Sequence, residues 1–515
     1  MKNLPIGIQS LVELRNLNGI YVDKTELIHN LVTTGKYYFF SRPRRFGKSL
    51  LISTLKELFK GNKTLFEDLW IEPHWDWTQS SPIIHISFDA VGYKNQSLAQ
   101  ALTFELKECA EQYGIELEAD AFDAQFRELL KALSAKHGRI VLLIDEYDKP
   151  IIDYLEKSKI EQAKINRDTL HDFYSVLKSA DEQLRFVFIT GISKFSKVSL
   201  FSHLNNLADI TMNKKYAALV GYTQQEVEAY FEDYLQLIEQ ELGISREELL
   251  EKMKIWYNGY SWDGATRVYN PFGTLNFLDN RTFVNFWFAT GNPKFLIEQM
   301  REKAFYNIEN QAVNGIIFEK FDIENIELTS LLFQTGYLTV KELGERDNYY
   351  VLDYPNHEVR ESMYQFLIDD LAKNIHRGDS GLTMIDLKKA FLVRDTEQVR
   401  EILNGILSDL PNEAFLKQTE GLFHGLVHII FNYLGIFIKS EVHSSRGRAD
   451  AIVETPTDVF IFEFKINKTA AEAMAQIEKK KYADKYRASK KTLNGIAFNY
   501  NSIERCIDEW EEKTL

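Results

Sequence analysis

The hydrophobic pattern divides the chain into short unbroken apolar runs and longer stretches of helical period. Tyr37-Tyr38-Phe39-Phe40 leads into a polar loop at 41–49 and then an amphipathic stretch at 50–59, which predicts strand, loop and helix. Comparable runs at 82–89, 139–146 and 185–191 have the unbroken apolar character of strands covered on both faces. The first third therefore reads as an open parallel α/β sheet, with the 82–89 run as the extra strand between two nucleotide-binding strands. Residues 222–255 carry an acidic helical pattern with Thr223 as N-cap, and Asn258-Gly259 and Asn270-Pro271 punctuate the turns that follow. A helix ending at Gly336 and two short strands, at 337–340 and 349–354, suggest a winged helix-turn-helix. Beyond 420 the order is helix 420–434, strands 436–442, 449–454 and 459–466, helix 469–488 and strand 494–500. Ser444-Ser445-Arg446-Gly447 and Thr455-Pro456-Thr457-Asp458 supply turn chemistry between the first three strands.

At 515 residues the chain has room for about three domains, and the motifs set their borders at 1–220, 221–400 and 401–515. Its 45% hydrophobic and 26% charged residues exclude collagen-like and disordered classes. Two cysteines, Cys109 and Cys506, exclude a disulfide framework or a Cys-rich zinc site. No apolar run approaches a membrane span and the start lacks a leader pattern, so a soluble, unprocessed, cytoplasmic protein without membrane partners is expected. The net charge of −14 rules out a uniformly basic nucleic-acid coat but not a local one. Residues 465–491 hold nine basic residues against three acids, the distribution of a phosphate-tracking helix or of a plain solvated one. The 340–358 hairpin holds two basic residues against five acids, which favours a lid over a DNA-binding wing.

The 41–49 loop ends in Gly47-Lys48-Ser49, the closing half of a phosphate-binding P-loop, although Arg42 stands where the pattern has its first Gly. On this reading Arg45, Phe46 and Gly47 wrap the phosphates, Lys48 reaches the β and γ groups, and Ser49 ligates Mg²⁺. The 139–146 strand ends in Asp145-Glu146: Asp145 is expected to hold the Mg²⁺ of bound ATP, and Glu146 to polarise the attacking water. Thr190 or Ser193, after the 185–191 strand, is the candidate γ-phosphate sensor, whereas His85 reads as packed. Near the C-terminus, strand alternation sets Phe460, Phe462 and Phe464 on one face and Glu463 and Lys465 on the other. Asp450, on the preceding strand, converges with them if the hairpin pairs in register. Two carboxylates suit Mg²⁺, and Lys465 orients or deprotonates the attacking water. A bare Asp-x12-Glu-x-Lys is also compatible with a salt-bridged strand.

Tyr21-Val22-Asp23-Lys24-Thr25, Arg42-Pro43-Arg44-Arg45-Phe46-Gly47-Lys48-Ser49, Leu143-Ile144-Asp145-Glu146-Tyr147-Asp148 and Thr190-Gly191-Ile192-Ser193-Lys194-Phe195-Ser196 resemble the AAA-ATPase-like family of bacterial proteins that carry a C-terminal PD-(D/E)XK nuclease-like domain. The resemblance covers nearly the whole chain. It implies that the missing Gly is a family feature and that the terminal αβββαβ order is a nuclease core, with Asp450 and Glu463 as metal ligands and Lys465 catalytic. Gln476 and Tyr482 resemble residues near such sites, at a longer spacing than expected. Glu420, His424 and Glu441 are further candidates. Arg42, Arg44, Arg45 and Arg185 are the arginine-finger candidates; AAA-type rings usually take that finger from a neighbouring copy, so a homo-oligomer joins DNA among the expected partners. The implied function is phosphodiester hydrolysis in DNA under ATP control. The rival is a nucleotide switch whose C-terminal domain docks a partner without cutting.

Overall fold

The computed structural model describes residues 1–194, 201, 204, 206–287, 294–303, 305, 308–318, 323–324, 326–344, 348–371, 380–408, 419–437, 439–442 and 449–515. They divide into two compact units: Met1–Asn292 with Glu309–Val359, and Pro293–Ile308 with Arg360–Leu515. The expected middle region, 221–400, is thereby shared between the two.

In the first unit, β1 (Tyr37–Ser41), β2 (Ile83–Ser87), β3 (Ile140–Asp145), β4 (Leu184–Gly191) and β5 (Ala208–Asp209) form a parallel sheet in the order β2-β3-β4-β1-β5. Every residue of β1 and β3 is buried, which explains their unbroken apolar runs. Ser41 pairs with Gly191 and Ser87 with Asp145, so the carboxyl ends of these four strands meet at one edge. It is β4 that separates β1 from β3. The 82–89 strand, expected between them, lies at the sheet edge beyond β3, because β3 pairs with β4 on its other side.

Helix Lys48–Lys60 follows β1 and buries Leu51, Ile52, Leu55, Leu58 and Phe59. Helices Gln224–Tyr230, Glu232–Leu242, Arg246–Tyr257 and Pro271–Asn280 enclose a second core around Val227, Leu235, Leu249, Met253 and Phe277. Thr223 caps the first of them in a capping box with Glu226, whose carboxylate also accepts from Lys24 Nζ at 2.6 Å. Helix Leu328–Thr335 stops at Gly336, which has φ 90°. Behind it come β7 (Thr339–Leu343) and β8 (Tyr349–Asp353), with β8 also pairing β6 (Gln311–Asn314).

The second unit holds a mixed sheet, β9 (Lys439–Val442), β10 (Ala451–Glu454), β11 (Asp458–Ile466), β12 (Thr492–Asn501) and β13 (Cys506–Thr514), in the order β13-β12-β11-β10-β9. β11 runs antiparallel to β10 and parallel to β12, with helix Ala470–Lys480 as the crossover. One face of β11 packs Phe460 on Phe391, Phe462 on Phe431 and Phe464 on Phe423, with ring centroids 5.2, 4.9 and 5.1 Å apart. Its other face is not open to water: Val459 and Ile461 lie under Ala473, Met474 and Ile477 of the crossover helix. The helix expected over 469–488 breaks at Lys481, whose φ of 52° and ψ of 42° end the α-helix ahead of a 3-10 segment, Tyr482–Ser489. The edge strand β13 was not anticipated, because most of its residues are polar and only Ile507 is buried. Among the described residues no helix is long and apolar enough to cross a membrane.

Phe462 lies in the middle of the aromatic face of β11 and is fully buried. Phe462→Ala is expected to destabilise the second unit by about 3–5 kcal/mol, read as a lower denaturation midpoint, whereas Ile503→Ala at an exposed turn leaves the midpoint unchanged.

Candidate functional sites

The loop between β1 and helix Lys48–Lys60 is shaped by two left-handed residues, Arg45 at φ 66° and Gly47 at φ 88°. Gly47 is the helix N-cap and makes no side-chain cap hydrogen bond, so the first-turn N–H groups remain available to an anion. Lys48 Nζ is buried and donates to the carbonyl oxygens of Arg42 and Pro43, each at 2.9 Å. Burial lowers its pKa, opposed by the negative charges of Asp145 and Glu146. Asp145, at the end of β3, is 3% exposed and accepts from the Glu146 N–H at 3.0 Å. Glu146 has φ 52°, and burial raises its pKa.

A cavity of about 320 Å³ joins Arg44, Arg45, Phe46, Gly47, Lys48, Ser49 and Glu146 to an apolar wall that includes Ile6, Ile8, Tyr222, Phe272 and Leu275. Asp145 and Thr190 are buried at their strand ends and are not part of that wall. The two sensor candidates differ. Thr190 Oγ1 is buried with no hydrogen-bond partner among the described residues. Ser193 is held by Asp148, which accepts from its N–H and its Oγ at 2.6 Å each and from the Ile192 N–H at 3.0 Å. The apolar wall was missed by sequence reasoning, since it comes from segments near residues 6, 220 and 272 that carry no local motif.

Arg42 corrects an expectation. It is fully buried, with its guanidinium 3.8 Å from the Trp262 ring centroid and 4.4 Å from that of Phe40, and it donates to the Ser41 and Thr211 carbonyl oxygens at 2.8 and 2.9 Å. Burial brings its pKa down to about 9. A guanidinium so enclosed cannot serve a neighbouring copy as an arginine finger. Arg185 is likewise occupied, over Phe59 and Trp75 and bonded to Ser81. Arg44 and Arg45 remain exposed in the cavity wall. Phe46 lies in the same wall, but its ring is buried edge-on against Tyr260 and Trp262, 4.8 and 5.5 Å away, which anchors the loop.

In the second unit the register Ala451↔Phe462 brings Asp450 alongside Glu463. The Asp450 N–H donates to the Phe462 carbonyl at 3.0 Å, and its Oδ2 accepts from the Phe464 N–H at 3.0 Å. Glu463 is 1% exposed; its Oε1 accepts from Lys465 Nζ at 3.1 Å and from the Gln476 amide, while Oε2 is buried without a hydrogen-bond partner among the described residues. Lys465 Nζ also donates to Gln476 Oε1 at 2.9 Å. The same amide reaches Tyr482 OH at 3.4 Å, so the left-handed turn at Lys481 returns Tyr482 to the site despite the long spacing. Burial, reinforced by the Asp450 charge, pushes the Glu463 carboxyl up from 4.5 to about 7. The side chains of Glu420, His424 and Glu441 lie outside the described residues.

The donor set fits a hard divalent cation: a carboxylate oxygen buried without a partner beside a second carboxylate is the environment such an ion relieves. Among the described residues no group of three or more His, Cys, Asp or Glu gathers to hold a metal. Lys479, Lys480, Lys481, Lys485 and Lys490 are exposed on the segment that follows Gln476.

Residues 5–201 match the family described as predicted AAA-ATPase, and residues 418–510 match the PD-(D/E)XK nuclease superfamily. The chain is 37% identical over 521 residues to an uncharacterized protein in the vnfD 5′ region of Azotobacter chroococcum mcd 1, covering 98% of each. Among solved structures, the Aeropyrum pernix ORC1 protein in complex with DNA is similar at 9% identity and a TM-score of 0.25, over 66% of this chain and 91% of that one.

Without a divalent ion, the raised Glu463 pKa means that the folded state holds this proton more tightly than the unfolded state does. Its stabilising contribution is full below about pH 4.5 and is lost as pH rises through about 7. The stability of wild type relative to Glu463→Gln is therefore expected to fall between about pH 5 and pH 8 in EDTA. Mn²⁺ should raise the wild-type melting temperature more at the upper pH than at the lower. A pH-independent difference between the two proteins would contradict the assignment.

Proposed function

The chain belongs to the AAA-ATPase-like family, with a C-terminal domain of the PD-(D/E)XK nuclease superfamily, and on that premise we propose that it binds ATP and cleaves phosphodiester bonds in DNA under nucleotide control. The observation that carries the cleavage reading is the convergence of Asp450 with Glu463 and Lys465, the last two bridged by Gln476, around a buried carboxylate oxygen without a hydrogen-bond partner among the described residues. A docking module has no use for such a cluster.

In the nuclease site Asp450 and Glu463 would hold the divalent ion, and the Asp450 carboxylate is fixed by the Phe464 N–H. A divalent ion there, and one held by Ser49 and Asp145, would supply a bound water of lowered pKa and neutralise charge on phosphoryl oxygens. Lys465 moves from Glu463 to the attacking water or the scissile phosphate, while Gln476 keeps its ammonium aimed at the site. Tyr482 supports the Gln476 amide. In the nucleotide site the loop N–H groups and Lys48 bind the phosphates, which requires the Lys48 ammonium to exchange two carbonyl oxygens for phosphoryl oxygens. Glu146 orients the attacking water, and Thr190 senses the γ-phosphate. The exposed lysines after Gln476 track the DNA backbone.

Purified protein with Mg²⁺ or Mn²⁺ is expected to cut DNA, and Asp450→Ala and Lys465→Ala each to reduce the rate by about 100-fold or more without changing the fold. Intact single- and double-stranded DNA after prolonged incubation would leave the switch-only alternative standing, and unimpaired cutting by both variants would overturn the assignment of this site. Lys48→Ala should abolish ATP binding measured by equilibrium titration. DNA affinity should fall steeply with added salt, and replacing Lys479, Lys480 and Lys481 by Gln should reduce the logarithmic salt slope by up to about three.

A further inference from the structure

Of the charged residues that line the nucleotide cavity and have no role in the mechanism above, Lys24 is bonded to Glu226 at 2.6 Å, whereas Lys149 has only distant partners. Lys149 follows directly on Asp145-Glu146-Tyr147-Asp148 and lines the same cavity as Lys48, Ser49 and Glu146. Its side chain is 20% exposed, and its Nζ lies 3.5 Å from Asp89 Oδ1 and 3.7 Å from Asp153 Oδ1. Both distances exceed the range of a hydrogen bond, and Lys149 makes no side-chain hydrogen bond among the described residues. Asp153 is already engaged at shorter range by Tyr93 OH at 2.9 Å and Lys94 Nζ at 3.1 Å. Asp89 also lines the cavity and is 71% exposed, a partner that water screens. A largely enclosed ammonium thus faces a cavity with weak ties on either side.

Charge balance says what such a group is for. The carboxyl end of β3 and the segment after β2 bring Asp145, Glu146 and Asp89 to this region, with Lys48 as the buried cation. A γ-phosphoryl group beside Glu146 adds negative charge to an already acidic corner, and a cation beside Lys48 and the divalent ion favours it further. The arginines are differently disposed: Arg42 and Arg185 are stacked on aromatic rings outside the cavity, and Arg45 lies 5.1 Å from the Phe272 ring centroid. Arg44 is exposed at the opening of the loop.

We propose that Lys149 Nζ leaves Asp89 and Asp153 when a nucleoside triphosphate binds and donates to its γ-phosphate, giving this chain in cis the cation by which it distinguishes triphosphate from diphosphate. The inference rests on the ATP-binding reading of the cavity and adds to Thr190 a second, charged residue that reads the third phosphate. It also gives that reading an output. Asp89 belongs to the segment that follows β2, so the exchange of Lys149 between Asp89 and phosphate ties that segment to the nucleotide state.

The test is equilibrium titration of the full chain with ADP and with the non-hydrolysable β,γ-imido analogue of ATP, in Mg²⁺ and in EDTA. Wild type should prefer the triphosphate. Lys149→Ala should lower that preference about tenfold while leaving ADP affinity within about twofold, and Lys149→Arg should retain it. Asp89→Asn, which removes the competing partner, should raise the preference, and the gain should disappear in the Asp89→Asn/Lys149→Ala double variant. Melting temperatures of the nucleotide-free variants show that each is folded. An unchanged triphosphate preference in Lys149→Ala, or a preference moved by Arg44→Ala and not by Lys149→Ala, would overturn the proposal while leaving ATP binding intact. If wild type binds neither nucleotide, the ATP reading falls and this proposal with it.

Discussion

Taking an ionised group out of water costs several kcal/mol unless charge or hydrogen bonds answer it, so a strand covered on both faces can carry such groups only where its cover ends. Both candidate sites are built on that constraint. β3 is buried from Ile140 to Asp145, and its acids appear at the carboxyl edge, where the P-loop lysine lies within electrostatic reach. β11 is buried from Asp458 through Phe464, and Glu463 and Lys465 appear as the cover of helix Ala470–Lys480 gives way to polar groups. In each case the apolar run fixes the strand and the strand fixes the charge.

The constraint also explains why Glu463 is so perturbed. Hydrogen bonds from Lys465 and Gln476 reach one oxygen and leave the other unanswered, and Asp450 adds a like charge. A group in that state gains from a cation and from little else. Lys48 shows the converse arrangement, a buried ammonium satisfied by two backbone carbonyls that belong to its own loop. Both sites therefore hold ionised groups that burial makes dependent on a few nearby partners.

Arg42 gives the P-loop a different support from the glycine usual at its position. Its guanidinium is stacked between Phe40 and Trp262 and bonded to two carbonyls, and Phe46 is anchored on Tyr260 and Trp262. The strand before the loop and the turn at 258–268 are thus packed into one aromatic block. The loop keeps its turn into the helix, because Gly47 still supplies the left-handed residue ahead of it.

Local pattern was enough to determine the parallel sheet, the P-loop strand and helix, the acids after β3, and the pairing of Glu463 with Lys465 on one strand face. Each of these follows from periodicity or from residues adjacent in sequence, and short-range sterics decide them. Other features required the chain to be folded. The position of β4 between β1 and β3, the burial of Arg42, and the apolar wall of the cavity depend on segments up to about 270 residues apart meeting through packing alone. The return of Tyr482 to Gln476 depends on one left-handed residue, Lys481, whose side chain gives no such signal. Sequence determined which ionised groups the chain carries and on which strands. Tertiary structure decided which of them face a cavity and which are buried as supports, because desolvation depends on what packs around a group and not on its neighbours in the chain.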